Sequence, residues 1–379
     1  MKSKIVYLPG LNGLRALAAI SVVLSHITLS LGGFGLNPHI LGTSTDGAPK
    51  GLLLAGFGVS IFFALSGFLI TYLLLLEKEK QQINITHFYL RRILRIWPLY
   101  YTYLTICVVV YLLYNISFDR TSTLYYLFFA SNIAFILNHM LPFLAHFWSI
   151  GVEEQFYLFY PWLIRKNTNL FLLLSFITVI LITLKLIFWI LEKKTGMSLP
   201  LLFLHVNRFH CMLIGGIGAI LYYQSNNYFI TICTHKISQG ICWFILFLVS
   251  INMFHIASVL DNEIISLVTT IIIVGQITKK NYIINLENTV LDFLGRISYG
   301  IYVIHPIIIF LVSQLIPKNF LPTIFLYVFL YLAITILTIL IAYISYEFFE
   351  KQFLKIKNKF STIPSSSNNP YHSENFSKT

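Results

Sequence analysis

The sequence predicts an all-α, polytopic integral membrane protein with about ten transmembrane helices packed in one bundle. Three observations predict it. Of the 379 residues, 57% are hydrophobic types and only 11% are charged, against roughly a quarter charged in a soluble domain; that is too little charge to coat a water-exposed surface. Mean hydropathy is +0.78, and apolar runs of about 20 residues recur, the length that spans a hydrocarbon core about 30 Å thick. Many of the Lys and Arg residues lie in short segments between these runs, where they set membrane orientation. The net charge of +12 is therefore read as a topology signal, with no nucleic-acid partner.

In chain order the helices are expected near 11–31, 52–76, 98–115, 144–164, 170–191, 204–223, 239–256, 263–278, 293–315 and 322–348. The first contains Ala16-Leu17-Ala18, a small-x-small site. The apolar stretch before it is broken by Pro9, Gly10, Asn12 and Gly13, and the run continues past it, so it reads as an uncleaved helix rather than a signal peptide. Pro98 suits the first turn of the third helix. One further apolar stretch, 123–141, is ambiguous, because Asn132, Asn138, His139 and Pro142 interrupt or end it. Counting Lys and Arg resolves the ambiguity. With the N-terminus (Lys2, Lys4) in the cytoplasm and 123–141 not crossing, Lys78, Lys80, Arg91, Arg92, Arg95, Arg165, Lys166, Lys236, Lys279, Lys280 and the basic run 351–359 all fall inside. Only Glu192-Lys193-Lys194 falls on the wrong side. Both termini are then cytoplasmic, in a multi-pass protein of the inner (plasma) membrane. Residues 354–379 are basic, then rich in Ser, Asn and Pro, and are expected to be a disordered cytoplasmic tail. The four cysteines show no metal or redox spacing and read as free, buried thiols.

Polar residues inside the apolar runs carry the functional reading, since a charge there is costly unless it is paired or hydrated. Arg15 and His26 lie eleven residues apart on the first helix. At 100° per residue they fall about 20° from exact alignment, roughly 16 Å apart along the axis, so one face joins the two halves of the membrane. The competing account is a snorkelling Arg and a packing His. The fourth helix opens with His146-Phe147-Trp148-Ser149 and carries Glu153-Glu154. A carboxylate beside His26 at this depth would make a general-base pair, fixing the tautomer and stabilising the imidazolium. Arg91, Arg92 and Arg95 at a helix start read either as topology signals or as a phosphate site, the planar guanidinium fork suiting phosphate oxygens. Gly56, Ser60 and Ala64, then Ser66-Gly67, form a face for close helix contact, as does Gly215-Gly216-Ile217-Gly218. Arg208 and His210, and farther on Tyr299 and His305-Pro306, are candidate cavity residues; for His305 simple helix packing stands equally. No set of His, Cys, Asp and Glu has metal-ligand spacing, and no GxSxG or Walker loop occurs.

In this order these residues resemble the membrane-bound acyltransferase-3 family, over about residues 8–353. The most specific parts are Arg15-x10-His26 after Leu11-Asn12-Gly13-Leu14, and the run from Phe62 ending in Ser66-Gly67-Phe68-Leu69. To these add Phe88-x2-Arg91-Arg92-x2-Arg95-x2-Pro98, the His146–Tyr157 block, and Ile297-Ser298-Tyr299 through His305-Pro306. Asn12 stands where the family often has Asp, and Gln352 where Pro is common. The resemblance implies an O-acyltransferase that takes an acyl group, expected to be acetyl, from cytoplasmic acyl-CoA to a hydroxyl of an extracytoplasmic glycan such as O-antigen, capsule or another surface polysaccharide. It implies no bound cofactor, with acyl-CoA (acetyl-CoA) as donor substrate, and as partners the glycan acceptor and the lipid bilayer. Some relatives carry an added SGNH hydrolase-like domain; none is expected within these residues. His26, Arg15 and Glu153 or Glu154 are the expected catalytic set, Arg91, Arg92 and Arg95 the expected CoA-phosphate ligands, and His146, Trp148, Ser149, Arg208, Tyr299 and His305 the expected cavity. Direct transfer and a covalent acyl-histidine intermediate both fit this set. The alternative is a transporter exporting a glycan or acyl groups, which explains the helices but not why arginines cluster at the cytoplasmic end of a path leading to a His.

Overall fold

The computed structural model describes residues 6–43, 47–280, 283–317 and 322–363. Among them the chain forms sixteen α-helices and no strand: α1 (Leu11–Ser30), α2 (Leu53–Lys80), α3 (Ile85–Leu113), α4 (Ser122–Leu127), α5 (Ser131–Ile136), α6 (Trp148–Lys166), α7 (Leu170–Thr195), α8 (Leu199–Asn207), α9 (Phe209–Tyr223), α10 (Asn227–Thr234), α11 (Lys236–Ser250), α12 (Asp261–Thr278), α13 (Thr289–Arg296), α14 (Ser298–Leu315), α15 (Thr323–Ser345) and α16 (Lys351–Asn358). Eight helices or near-continuous pairs are long and apolar enough to cross a membrane, and α10 with α11, bent by 57°, makes a ninth. α6 has 19 residues, about 28 Å of helix, but Glu153, Glu154, Arg165 and Lys166 make it too charged to be counted with them. The chain is a multi-pass membrane protein.

Two ends of the bundle differ in chemistry. At one end Lys78 Nζ donates to the carbonyls of Ile164 (2.8 Å) and Asn167 (2.7 Å), closing the C-terminus of α6. There too Gln81 reaches Thr362 and Arg91 donates to the Phe360 carbonyl. The basic segments around 78–95, 165–166 and 351–363 thus share one end. At the other end Ser25 donates to Leu52 O, and Gly51 N donates to Asn252 Oδ1.

The stretch 123–141 does not cross. Its helices α4 and α5 have six residues each, about 9 Å, separated by Phe129 at φ 55°. Tyr114, before the stretch, and Phe143, after it, both pack on the ring of Phe310, so the chain leaves and returns at one level. Tyr100 OH and Tyr101 OH hold it there by donating to Tyr126 O and Leu127 O.

The small-residue faces pack closely at Ala64, Gly67 and Gly215, whereas Gly56 and Ser66 of the same expected face line cavities. A Cβ on Gly67 would stand 1.9 Å from Met212 O, and one on Gly215 would stand 2.1 Å from Ala64 O, so only glycine lets α2 and α9 approach this closely. All four cysteines are buried and free. Several helix limits differ from expectation. α3 starts at Ile85, not 98, because the Asn84 side chain caps it by accepting from His87 N at 3.0 Å. Pro98 is therefore interior, and Arg91, Arg92 and Arg95 sit on a helix rather than in a loop. The 204–223 helix breaks at Arg208, which takes φ 42°; the 293–315 helix breaks at Ile297; and the expected 239–256 helix ends at Ser250. The last helix runs beyond 348, through a π-helical turn at Tyr346–Glu350, into α16. The expected tail boundary at 353/354 falls inside α16, which runs to Asn358. Residues 364–379, like Lys2 and Lys4, lie outside the described residues.

Candidate active site

α1 holds Arg15 and His26 on one face, and the structure puts each in a different cavity. His26 lines a cavity of about 750 Å³ at the non-basic end, with His146, Trp148, Arg208, Tyr302 and Pro306 among its walls. Arg15 lines two smaller cavities nearer the basic end. One of these, of about 100 Å³, is bounded by Arg15, Ser66, Arg92, Arg95, Ser149, Glu153, Tyr157 and Tyr299. Val59 and Tyr302 belong both to this chamber and to the His26 cavity, so they form the partition between them. Arg95 belongs to the 100 Å³ chamber and to both basic-end cavities below it. A chain of cavities thus runs from the basic end to His26.

The partner of His26 is a histidine, not a carboxylate. His26 Nδ1 lies 2.7 Å from His305 Nε2, with the rings stacked at 4.9 Å. His305 Nδ1 lies 3.2 Å from Ile301 O. A carbonyl only accepts, so His305 carries its proton on Nδ1 and presents Nε2 as an acceptor. His26 then donates through Nδ1, and its Nε2 keeps the lone pair a base needs. His305 is fully buried (0% exposed). It stands behind His26 and is absent from the cavity wall, which fits the packing alternative for it rather than the ligand-facing one. His146 Nε2 donates to Val303 O at 3.2 Å, leaving its Nδ1 unprotonated. Its ring lies edge-on to both other imidazoles.

Neither Glu153 nor Glu154 supports His26. Glu153 is about two helical turns along α6 from His146; it accepts from Ser66 Oγ at 2.7 Å and faces Arg15, Arg92 and Arg95 across the chamber. Glu154 points about 100° away and accepts from Trp97 Nε1 at 3.0 Å, outside the cavities described above. The adjacent pair therefore divides, one carboxylate joining the arginine chamber and the other the packing of α3.

The arginines divide as well. Arg91 is paired with Glu77 at 2.9 Å and donates to Phe360 O, which is a structural commitment. Arg92 lies over the rings of Phe88 and Tyr157, its Nε buried without a partner. Arg92 and Arg95 both face the cavities. Arg15 donates to Asn12 Oδ1 at 3.2 Å and faces the chamber.

The remaining expected cavity residues are in place. Arg208, at the α8–α9 break, donates to His205 O (2.8 Å) and Gly56 O (2.9 Å) and lies over Trp148. It thereby satisfies a carbonyl freed where the span is broken, an arrangement confined to cavities and protein interiors. Tyr299 OH donates to Ile96 O, and Ser149 lines the chamber beside Tyr302. Tyr302 OH donates to His146 O at 2.7 Å and lies 2.6 Å from Ser149 Oγ. Tyr302 was visible within the Tyr299–His305 block, but nothing in its spacing marked it as the partition.

Residues 8–347 match the family described as an acyltransferase domain. The chain belongs to the acyltransferase-3 family. It is 28% identical to O-acetyltransferase OatA of Staphylococcus aureus strain NCTC 8325, over 91% of this chain and 57% of that protein. A protein of S. aureus strain COL that bears O-acetyltransferase as a provisional name is also 28% identical, over 93% of this chain and 58% of its own length. The chain spans less than three-fifths of the length of these curated relatives. No solved structure matches it.

Proposed function

We propose that this domain transfers an acyl group, acetyl in the simplest case, from acyl-CoA to a hydroxyl of an extracytoplasmic glycan. The observation that carries the reading is the continuity of the cavities: unpaired cations at one end, an imidazole with a free lone pair at the other, and a single side-chain partition between. The S. aureus relatives' names supply the O-acetyl direction. The basic end faces the cytoplasm, because that is where Lys and Arg gather, and the His26 cavity opens outside the plasma membrane; the glycan is a surface polysaccharide.

In this reading the CoA phosphates rest on Arg92 and Arg95, and the pantetheine arm lies in the chamber with its thioester at the Val59–Tyr302 partition. The acceptor hydroxyl enters the 750 Å³ cavity, whose aromatic walls suit a sugar face. His26 Nε2 takes the hydroxyl proton as the oxygen attacks the thioester carbonyl. The tetrahedral intermediate collapses, breaking the C–S bond, and the thiolate leaves as CoA after taking a proton back from the imidazolium. His305 holds the His26 ring and tautomer and accepts the Nδ1–H, the role a carboxylate fills in other general-base pairs.

The test is mass spectrometry of surface glycan from cells carrying the wild-type gene, no gene, or His26→Ala. Acylated glycan is expected only with wild type, because general-base catalysis contributes about 10²- to 10⁴-fold, while His26→Ala protein reaches the membrane in normal amount. His26→Gln, which keeps a hydrogen bond but takes no proton, should be equally inactive. Full acylation with His26→Ala would transfer the chemistry elsewhere and favour the transporter.

A further inference from the structure

The donor end contains a cation that the arginine motif does not include. The π-helical turn at Tyr346–Glu350 leads the last helix into α16, which packs along α3. Inserted turns of this kind often mark functional sites. Here the turn puts Tyr346 and Glu350 into the wall of one basic-end cavity, followed by Leu354 and Lys357 one and two turns on. Lys357 also lines the neighbouring cavity with Arg91, Arg92 and Arg95. Beyond it, Ser361 and Ile363 complete that wall, and Phe360 packs on His87.

The charges in these two cavities do not balance. Glu77 is occupied by Arg91, and Glu350 accepts from Ser345 Oγ. The side chains of Arg95 and Lys357 make neither a hydrogen bond nor an ion pair among the described residues, and that of Arg92 has only aromatic faces and an orphaned Nε. Glu350 is the one carboxylate left among these cations, which outnumber it, so the cavities favour a further anion. Three convergent cations from two helices fit a ligand bearing more than one phosphate.

We propose that Lys357 is a donor-binding residue: with Arg92 and Arg95 it grips the phosphates of the nucleotide half of acyl-CoA, and α16 is the wall that brings it there. This rests on the acyl-CoA reading above. A Lys suits the position, since it offers a compact charge on a flexible stem beside the rigid arginine forks.

The test uses the full chain, purified into lipid nanodiscs, with equilibrium binding of acetyl-CoA and of S-acetylpantetheine, which carries the thioester but no nucleotide. Lys357→Gln should weaken acetyl-CoA binding about tenfold, the scale of one charged hydrogen bond, and leave S-acetylpantetheine binding unchanged. Lys357→Arg should retain most of the affinity. Lys355→Gln, on the exposed side of α16, should match wild type for both ligands. Unchanged acetyl-CoA affinity in Lys357→Gln would overturn the proposal and leave the acyl-CoA reading standing. Equal losses for both ligands would also overturn it, by reducing Lys357 to a structural residue. Failure of the wild-type protein itself to bind acetyl-CoA would remove the parent reading, before any variant is compared.

Discussion

Two clusters of buried charge lie in this bundle, and they meet the cost of burial in opposite ways. Between α7, α9 and α12, Lys185 (0% exposed) donates to Glu263 Oε1 at 2.7 Å, and His210 Nε2 lies 2.9 Å from the same oxygen. This cluster contains both signs of charge, and none of its three residues lines the cavities from the basic end to His26. Between α1, α3 and α16, Arg15, Arg92, Arg95 and Lys357 face one another across cavities, with Glu153 and Glu350, each accepting from a serine hydroxyl, as the carboxylates beside them. The first cluster is closed by its own counter-charges and holds helices together. The second is left incomplete, and its incompleteness is what a ligand can use. An intramembrane charge alone therefore does not mark a site; an intramembrane charge without a protein partner, facing a cavity, does.

The largest effect that tests this contrast is on stability. Glu263→Ala leaves Lys185 buried and unpaired, a change that costs about 3–5 kcal/mol when a buried pair is broken. Thermal unfolding in detergent should show it, while Lys185→Met combined with Glu263→Leu should recover most of the loss, since an apolar pair of similar volume needs no counter-charge. A harmless Glu263→Ala would show that the closed cluster does not hold these helices. Arg95→Ala should behave in the reverse way. It removes one cation from a repelling group, so the unfolding temperature should stay level or rise. Acetyl-CoA affinity should fall by about ten- to a hundredfold, the range of a lost charged hydrogen bond. A destabilised Arg95→Ala with intact donor affinity would place Arg95 in the structural class with Lys185.

The sequence made one cluster legible and hid the other for a physical reason. Arg15, Arg92 and Arg95 stood out because local spacing carries their relation: one helix face, or one motif. The alignment of Arg15 with His26 also held, because both lie on α1 and helical periodicity fixes it. Lys185 and Glu263 are 78 positions apart, and no local pattern pairs a lone Lys on one helix with a lone Glu on another. The same limit produced the error over His26. Glu153-Glu154 were the conspicuous carboxylates, but two turns of α6 carry Glu153 away from His26, and His305, 279 positions downstream, takes the place. Pro98 misled for a different reason: a proline tolerated inside α3 looked like a helix start, and the true start is the less conspicuous Asn84 cap.

The smallest expected effect lies at the partition, where the two ends of the cavity chain meet. Tyr302→Phe keeps the ring that separates chamber from cavity and removes the hydroxyl that donates to His146 O and meets Ser149 Oγ. Ser149 Oγ is already 3.3 Å from the same carbonyl, so it can shift to take over the bond, and the net loss is about 1 kcal/mol. Transfer should slow about fivefold, with acetyl-CoA affinity unchanged, because the phosphates are held at the far end by Arg92, Arg95 and Lys357. Tyr302→Ala removes the ring as well and joins the 100 Å³ chamber to the 750 Å³ cavity. In that variant the rate with propionyl-CoA should rise relative to acetyl-CoA, since the wall that limits the acyl group is gone. Steady-state transfer with the two donors, measured in the same membranes, checks both expectations. If both Tyr302 variants weaken donor binding and leave acyl preference unchanged, the ring belongs to the donor site, and the boundary between the two ends must be drawn closer to His26.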